Sequence, residues 1–337
     1  MFLKELTELS GVSGCEYEVR NYIKNKLDEI KCQYYVDKLG NVIAHNIGKK
    51  NKTIMVAAHM DEVGLMVTHI DSDGFIRFQT VGGIDPRVLN SKQVLVGDKK
   101  ISGVIGSKAV HLMSDDERGK TLSIEKLYID IGSNSKAETE KIVDIGDYVC
   151  FKSDYVEFGD NLIKAKALDD RAGCSAVLEL LSMKIDADFY GVFTVMEEVG
   201  CRGAQTAAYK LEPDFGLVIE GTVCADMPGV EEHSKSTIVG DGAALSIMDK
   251  TTVYDIDVVR NVVKIAEENN IAYQYRKSTA GGNDAGAIHK TKEGAKVMAI
   301  SIPCRYIHSP VSVLSINDYN SVVKLAKAII LAEQKGE

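Results

Sequence analysis

The stretch GVFTVMEEVG at 191–200 constrains this chain more than any other: a short apolar run stops abruptly at two adjacent carboxylates, Glu197 and Glu198. Val, Phe and Thr favour extended backbone, and a strand apolar on both faces belongs in the middle of a helix-covered sheet. In such sheets ligands gather in the crevice outside the carboxyl ends of the strands. A carboxylate pair there costs desolvation energy unless a cation or a proton offsets it. Taken alone, the stretch is more readily a solvated Glu pair opening a loop. Three other apolar strands end the same way, and together they make a pattern.

Read in order, the chain predicts a short helix at 2–9 and a second with an apolar stripe of Val19, Ile23, Leu27 and Ile30, with Glu16 and Glu18 in its first turn. A hairpin follows at 34–36 and 41–44, turned at Leu39-Gly40-Asn41, and then a buried strand at 53–58 ending in His59-Met60-Asp61-Glu62. From 64 to 165 the texture changes to short β-like runs between turn signals such as DSDG, VGDKK and FGDN, broken by a polar helix near 136–141. This segment predicts a small β-barrel inserted into the larger domain; its His69 and His111 are expected to be satisfied structural histidines. Strands and helices alternate again from 166, with strands at 192–196, 215–219 and 297–302 and a closing helix at 316–332 that Ser315 and Asp318 would cap as a box.

The expected fold is therefore α/β: a three-layer α/β/α catalytic domain with a mixed sheet, formed by 1–63 and 166–337, and an inserted β-barrel at 64–165. With 337 residues and 45% apolar content the chain can bury a core of that size. A net charge of −9 with scattered basic residues shows no footprint for nucleic acid or anionic lipid. No apolar run reaches membrane-spanning length, and MFLKELTELS lacks the apolar centre of a signal peptide. Seven cysteines without a CxxC pair signal neither a disulfide framework nor a thiolate zinc site, so the expected location is the cytoplasm.

The candidate site lies at the strand ends. His59 ends 53–58, Glu198 follows 192–196, Glu220 ends 215–219, His308 lies after 297–302, and Asp169 stands at the mouth of a helix in LDDR. Strand ends converge on one rim, so residues distant in sequence meet there. Two imidazoles and three carboxylates suit two borderline divalent ions, zinc or cobalt before manganese, with Asp169 as the natural bridge. The plain alternatives are ordinary histidines for His59 and His308 and, for Asp169, a helix cap beside a surface Asp170–Arg171 ion pair. Asp61, two residues from His59, would project to the same side and accept the other imidazole N–H. Glu197, pointing away from its neighbour, would face the water to be activated and serve as general base.

These residues resemble a known family. AHMDEVG at 57–63, LDDR at 168–171, EEVG at 197–200, EGT at 220–222 and YIHSP at 306–310 are similar to motifs of the tetrahedral aminopeptidases, the glutamyl and deblocking aminopeptidases, which are dinuclear metallopeptidases sometimes labelled endoglucanases. GVSGCE at 11–16, VGGIDPRVL at 81–89, YIDIGSNS at 128–135 and GGNDAG at 281–286 extend the likeness over the whole chain. The resemblance implies that His59 and Glu220 hold one metal, Glu198 and His308 the other, with Asp169 between them. It also implies a barrel that serves dimerisation and dimers that assemble into tetrahedral dodecamers. Glu220 stands where many relatives have Asp, and Asn283 where the wider clan often has Thr.

The reaction expected is removal of N-terminal residues from short peptides by a water lying between the two ions and deprotonated by Glu197. A glycoside hydrolase is the alternative from another class; it needs two carboxyls straddling a bond, and the absence of Trp removes the commonest sugar platform. A deacylase or carboxypeptidase with the same metal site, or an inert scaffold, are further alternatives. Gly281-Gly282 has no GK[ST] after it and predicts a turn rather than a phosphate loop. Cys201 and Cys224 lie near the site without an activating partner and are expected to be small buried residues. The resemblance further implies that Asp85 and Arg87 face a neighbouring subunit.

Overall fold

The computed structural model describes residues 1–336. Its centre is an 11-stranded mixed sheet. Through the middle run parallel strands in the order Phe189–Thr194, Ile54–His59, Phe215–Val223 and Lys296–Arg305. Their residues are buried almost end to end, which is why the sequence shows apolar runs there rather than alternation. Antiparallel strands complete both sides. The hairpin Gln33–Val36 and Val42–Asn46 pairs with Phe189–Thr194, and Ser312–Ser315, Leu162–Ala165 and Val156–Phe158 extend from Lys296–Arg305.

Helices cover the sheet. Leu168–Ser182 packs on the parallel strands and against Ile316–Lys335, while Arg202–Leu211 packs with Ala285–Ile288. The four central strands point the same way, so His59, the residues after Thr194, Glu220 and the loop after Arg305 emerge on one rim. Among the described residues no helix is long and apolar enough to cross a membrane.

Between Gly64 and Phe151 the chain forms a closed antiparallel barrel of the strands Gly64–Ile70, Ile76–Val81, Gln93–Val96, Ile101–Gly106, Tyr128–Asp130 and Tyr148–Phe151. It encloses its own core, with Leu65, Ile76, Phe78, Val94 and Ile129 buried. Closure leaves no free strand edge. The polar helix expected near 136–141 is Lys136–Thr139.

Several local expectations are corrected. The FGDN turn, read as part of the insert, joins Val156–Phe158 to Leu162–Ala165, and the latter pairs with Ser312–Ser315 in the large sheet. Ser315 caps the closing helix by accepting from Asn317 N–H at 3.1 Å. Asp318 does not complete the box: its carboxylate is buried and accepts the N–H groups of Gly240 at 2.7 Å and Gly242 at 2.8 Å, tying a distant turn to the helix start. His69 and His111 are exposed, outside either core.

Candidate metal centre

The rim is built first from backbone. Four consecutive N–H groups after the strand Phe189–Thr194 are each taken by a side chain from elsewhere. Val195 N–H donates to Asn41 Oδ1 at 3.0 Å, Met196 N–H to Glu16 Oε1 at 3.2 Å, Glu197 N–H to Asp61 Oδ1 at 2.9 Å and Glu198 N–H to Asp61 Oδ2 at 3.1 Å. Met196 takes a left-handed φ of 54°, a conformation that a non-glycine residue holds only when its surroundings fix it. Asn41 also donates to Gly203 O at 3.0 Å, and Ser13 Oγ donates to Asp61 Oδ2 at 2.6 Å. The two carboxylates at the strand end are thus aimed by a scaffold of buried polar groups.

The imidazoles approach from either side of Asp169. His59 Nε2 lies 3.3 Å from Asp169 Oδ1, and His308 Nε2 lies 3.7 Å from Asp169 Oδ2 and 3.2 Å from Glu198 Oε2. Ligand atoms of His59, Asp169 and Glu198 lie within 4.8 Å of one another. Glu197 Oε2 is 4.0 Å from His59 Nε2 and faces the same space. Glu220 lines the same cleft just outside this cluster; its Oε1 accepts from Asn283 Nδ2 at 2.8 Å and Ser301 Oγ at 3.3 Å. Asn283 therefore braces Glu220. Gly221 follows because a Cβ there would meet Asp169 Cβ at 2.9 Å.

Asp61 departs from the expectation in one respect. His59 Nδ1 lies 3.1 Å from the Asp61 backbone carbonyl and 3.4 Å from its Oδ1, so the carbonyl takes the ring N–H while the carboxylate serves the amides of 197 and 198. The strand stops at His59, so the alternation that would have put both side chains together ends there. Asp170 and Arg171 form no surface pair; both are fully buried. Asp170 Oδ2 accepts His59 N–H at 3.1 Å. Arg171 donates to Met60 O at 2.9 Å, Leu6 O at 2.7 Å and Glu62 Oε1 at 3.1 Å, and Glu62 also takes Lys166 Nζ at 2.7 Å. That buried ion triad was not read from the sequence. Its only signal was charge inside apolar surroundings.

One sign of charge dominates the rim. Burial, together with Asp169, holds the Glu198 carboxyl well above its ordinary range, and pushes Glu220 up to about 8. Burial, with Asp284 and Glu198 adding repulsion, does the same for Glu197. Burial alone would lower the His59 ring, but the bonds to Asp169 and Asp61 outweigh it and hold the ring well above its usual value. Protons on the carboxylates or divalent cations between them would relieve such crowding. The donor set, two imidazoles with carboxylates on both sides of a shared Asp, fits that group.

The cluster opens into a cleft of about 760 Å³ lined by His59, Glu198, Glu220, Thr222, Lys250 and Arg276, within the size range of small-ligand sites. Cys201 lies at its edge and Cys224 is buried against Thr237 at 3.1 Å. Burial pushes the Cys224 thiol up to about 12 and raises Cys201 further, so neither is an activated nucleophile. Asp85 and Arg87 are exposed and paired with each other.

A mixed sheet whose parallel central strands gather imidazoles and buried carboxylates at their ends, with a barrel spliced in after the first histidine, is the architecture of a peptide hydrolase. The profile of the family described as M42 glutamyl aminopeptidase matches residues 40–325. This chain belongs to that family, and as such is an aminopeptidase. It is 44% identical over 325 residues to an Acetivibrio thermocellus protein whose aminopeptidase name is itself provisional, an alignment covering 96% of each. It superposes on an aminopeptidase from the archaeon Desulfurococcus kamchatkensis with a TM-score of 0.93 at 39% identity, covering 98% of this chain and 93% of that one. On a Pyrococcus horikoshii TET1 peptidase, described as able to assemble into a tetrahedron or a large octahedral shell, the TM-score is 0.87 at 33% identity, covering 97% and 98%.

Proposed function

We propose that this aminopeptidase removes N-terminal residues from short peptides with two divalent cations held at the rim. The observation that carries the reading is Asp169, whose two carboxylate oxygens face two different imidazoles. His59 with Glu220 would hold one cation and Glu198 with His308 the other, Asp169 serving both. Zinc or cobalt suits these donors best, and manganese is acceptable to them. When bound, the pair supplies polarisation of the scissile carbonyl and a lowered pKa for the attacking water.

The chain's own residues do the rest. Glu197 accepts the proton of the attacking water at Oε2, the oxygen nearer His59, and returns it to the departing amine. Its aim is fixed by Asp61 through the backbone N–H. Asp61 also holds His59 by Nδ1, leaving Nε2 directed into the site. A glycosidase would need Glu197 and Glu198 free to straddle a bond. Glu198 instead lies 3.2 Å from His308 and clusters with His59 and Asp169.

Likeness to shell-forming peptidases supports assembly of this chain into dimers and then a tetrahedral dodecamer. The test of the catalytic reading is metal content measured alongside a panel of aminoacyl chromogenic substrates, before and after chelation. Two equivalents of metal per chain and chelator-sensitive release are expected. Full activity in the metal-free protein would overturn the reading, and sedimentation of a lone monomer would overturn the assembly.

A further inference from the structure

Glu197 has two oxygens with different neighbours. Oε2 faces His59, while Oε1 accepts from Cys201 Sγ at 3.4 Å. On that second side lies Asp284, buried at 2% exposure on the turn before Ala285–Ile288. One of its oxygens, Oδ2, accepts from Thr194 Oγ1 at 2.6 Å; the other, Oδ1, is buried and has no hydrogen-bond partner among the described residues. Ligand atoms of Glu197, Cys201 and Asp284 lie within 4.8 Å of one another. A buried carboxylate oxygen without a donor is costly, and few native structures keep one without a use.

We propose that Glu197, Cys201 and Asp284 form a third cation site, selective for thiophilic divalent ions such as zinc in excess or cadmium, whose occupation inhibits the enzyme. A thiolate with two carboxylates is a softer donor set than the imidazole–carboxylate rim, and it leaves a fourth, tetrahedral position for water. Cys201 provides the entrance. It lies at the edge of the main cleft and also lines a second cavity of about 380 Å³, with Gln205, Tyr209 and Lys290. Binding breaks one bond, the thiol S–H, and the proton leaves to solvent. Held from behind in this way, the Glu197 carboxylate no longer accepts a proton from water. The inhibitory half of the proposal rests on Glu197 being the base; the binding half does not.

The test uses the enzyme already loaded with its two rim cations. Cadmium is titrated into the native protein, Cys201→Ser and Asp284→Asn while thiolate-to-cadmium charge-transfer absorption and peptide hydrolysis are both recorded. The native protein should bind one equivalent more than Cys201→Ser, show the difference absorption, and lose activity with the same half-saturation. In both variants the half-inhibiting concentration should rise about tenfold or more, the loss that even outer hydrogen-bond partners of metal ligands cause. Identical titrations of native protein and Cys201→Ser would overturn the site. Binding at Cys201 with undiminished turnover would keep the site and overturn Glu197 as base.

Discussion

The two histidines of the rim are held in opposite ways. His59 ends a central strand, is 4% exposed, and is fixed by its ring N–H to Asp61, its backbone N–H to Asp170 and its backbone carbonyl to Cys174 Sγ at 3.1 Å. His308 sits on the loop after Lys296–Arg305 with a left-handed φ of 57°, its side chain 40% exposed, and its Nε2 lies against the acidic side chains of Glu198 and Asp169. One half of the centre is part of the protein's interior and the other is laid over it. Pre-organised ligands lose less freedom on binding. The cation beside His59 should therefore be retained and the one beside His308 exchanged.

The largest effect falls on Glu197, the proton acceptor that neither histidine replaces. Glu197→Gln preserves the size of the side chain and its Asp61-anchored N–H but removes the proton acceptor. Turnover should fall by about 10²–10⁴-fold with two metals still bound, read by steady-state kinetics and metal analysis on one sample. Retained turnover would mean that the rim needs no carboxylate base.

Next come the histidines themselves. His308→Ala should lose one metal equivalent and recover much of its activity when the cation is supplied in excess. His59→Ala should not recover, because it removes the enclosed ligand itself and leaves the Asp61 carbonyl buried without the ring N–H it accepts. In the native protein a chelator should withdraw the two metals in two separable steps. Equal rescue of both variants, or a single withdrawal step, would break the comparison.

The sequence made the rigid half easier to see than its supports. Strands such as 53–58 and 215–219 were legible because central parallel strands are apolar on both faces, and each ended on a residue that apolar patterning does not explain. The site residues followed from that placement and from the family's motifs. The supports were hidden for a physical reason. Asn41 and Glu16 meet backbone groups, and Ser13 a carboxylate, far along the chain, and no periodicity marks such bonds. The strands around FGDN were misassigned for a related reason: Ser312–Ser315, the partner that ties Leu162–Ala165 to the large sheet, lies far along the chain, with Ser312 Oγ donating to Ala165 O across a separation of 147 residues. Short alternating runs fit either sheet until that partner is known.

Asp61→Asn tests how the rigid half works. The amide oxygen still accepts one backbone N–H, but its nitrogen cannot accept the other, and the charge that steadies the His59 ring is gone. A loss of about 10–100-fold in activity or metal affinity is expected, mostly at the His59 cation. Isothermal titration of metal into Asp61→Asn and His308→Ala should show opposite cations weakened.

Ser13→Ala should give the smallest change. Ser13 Oγ donates to Asp61 Oδ2 at 2.6 Å, one of three donors that serve this carboxylate alongside the N–H groups of 197 and 198. Removing the hydroxyl leaves both amide bonds and the contact to His59 in place, so the carboxylate keeps its position and loses one charge-assisted bond, about 1.5–3 kcal/mol of stability. If position is what matters, thermal stability should fall while kcat and metal affinity change by less than about the tenfold lower bound expected for Asp61→Asn. If Ser13→Ala matched Asp61→Asn in metal affinity, the two amides would be too weak to hold the carboxylate alone. The fixity of the His59 half would then belong to one hydroxyl from the N-terminal segment rather than to the strand end.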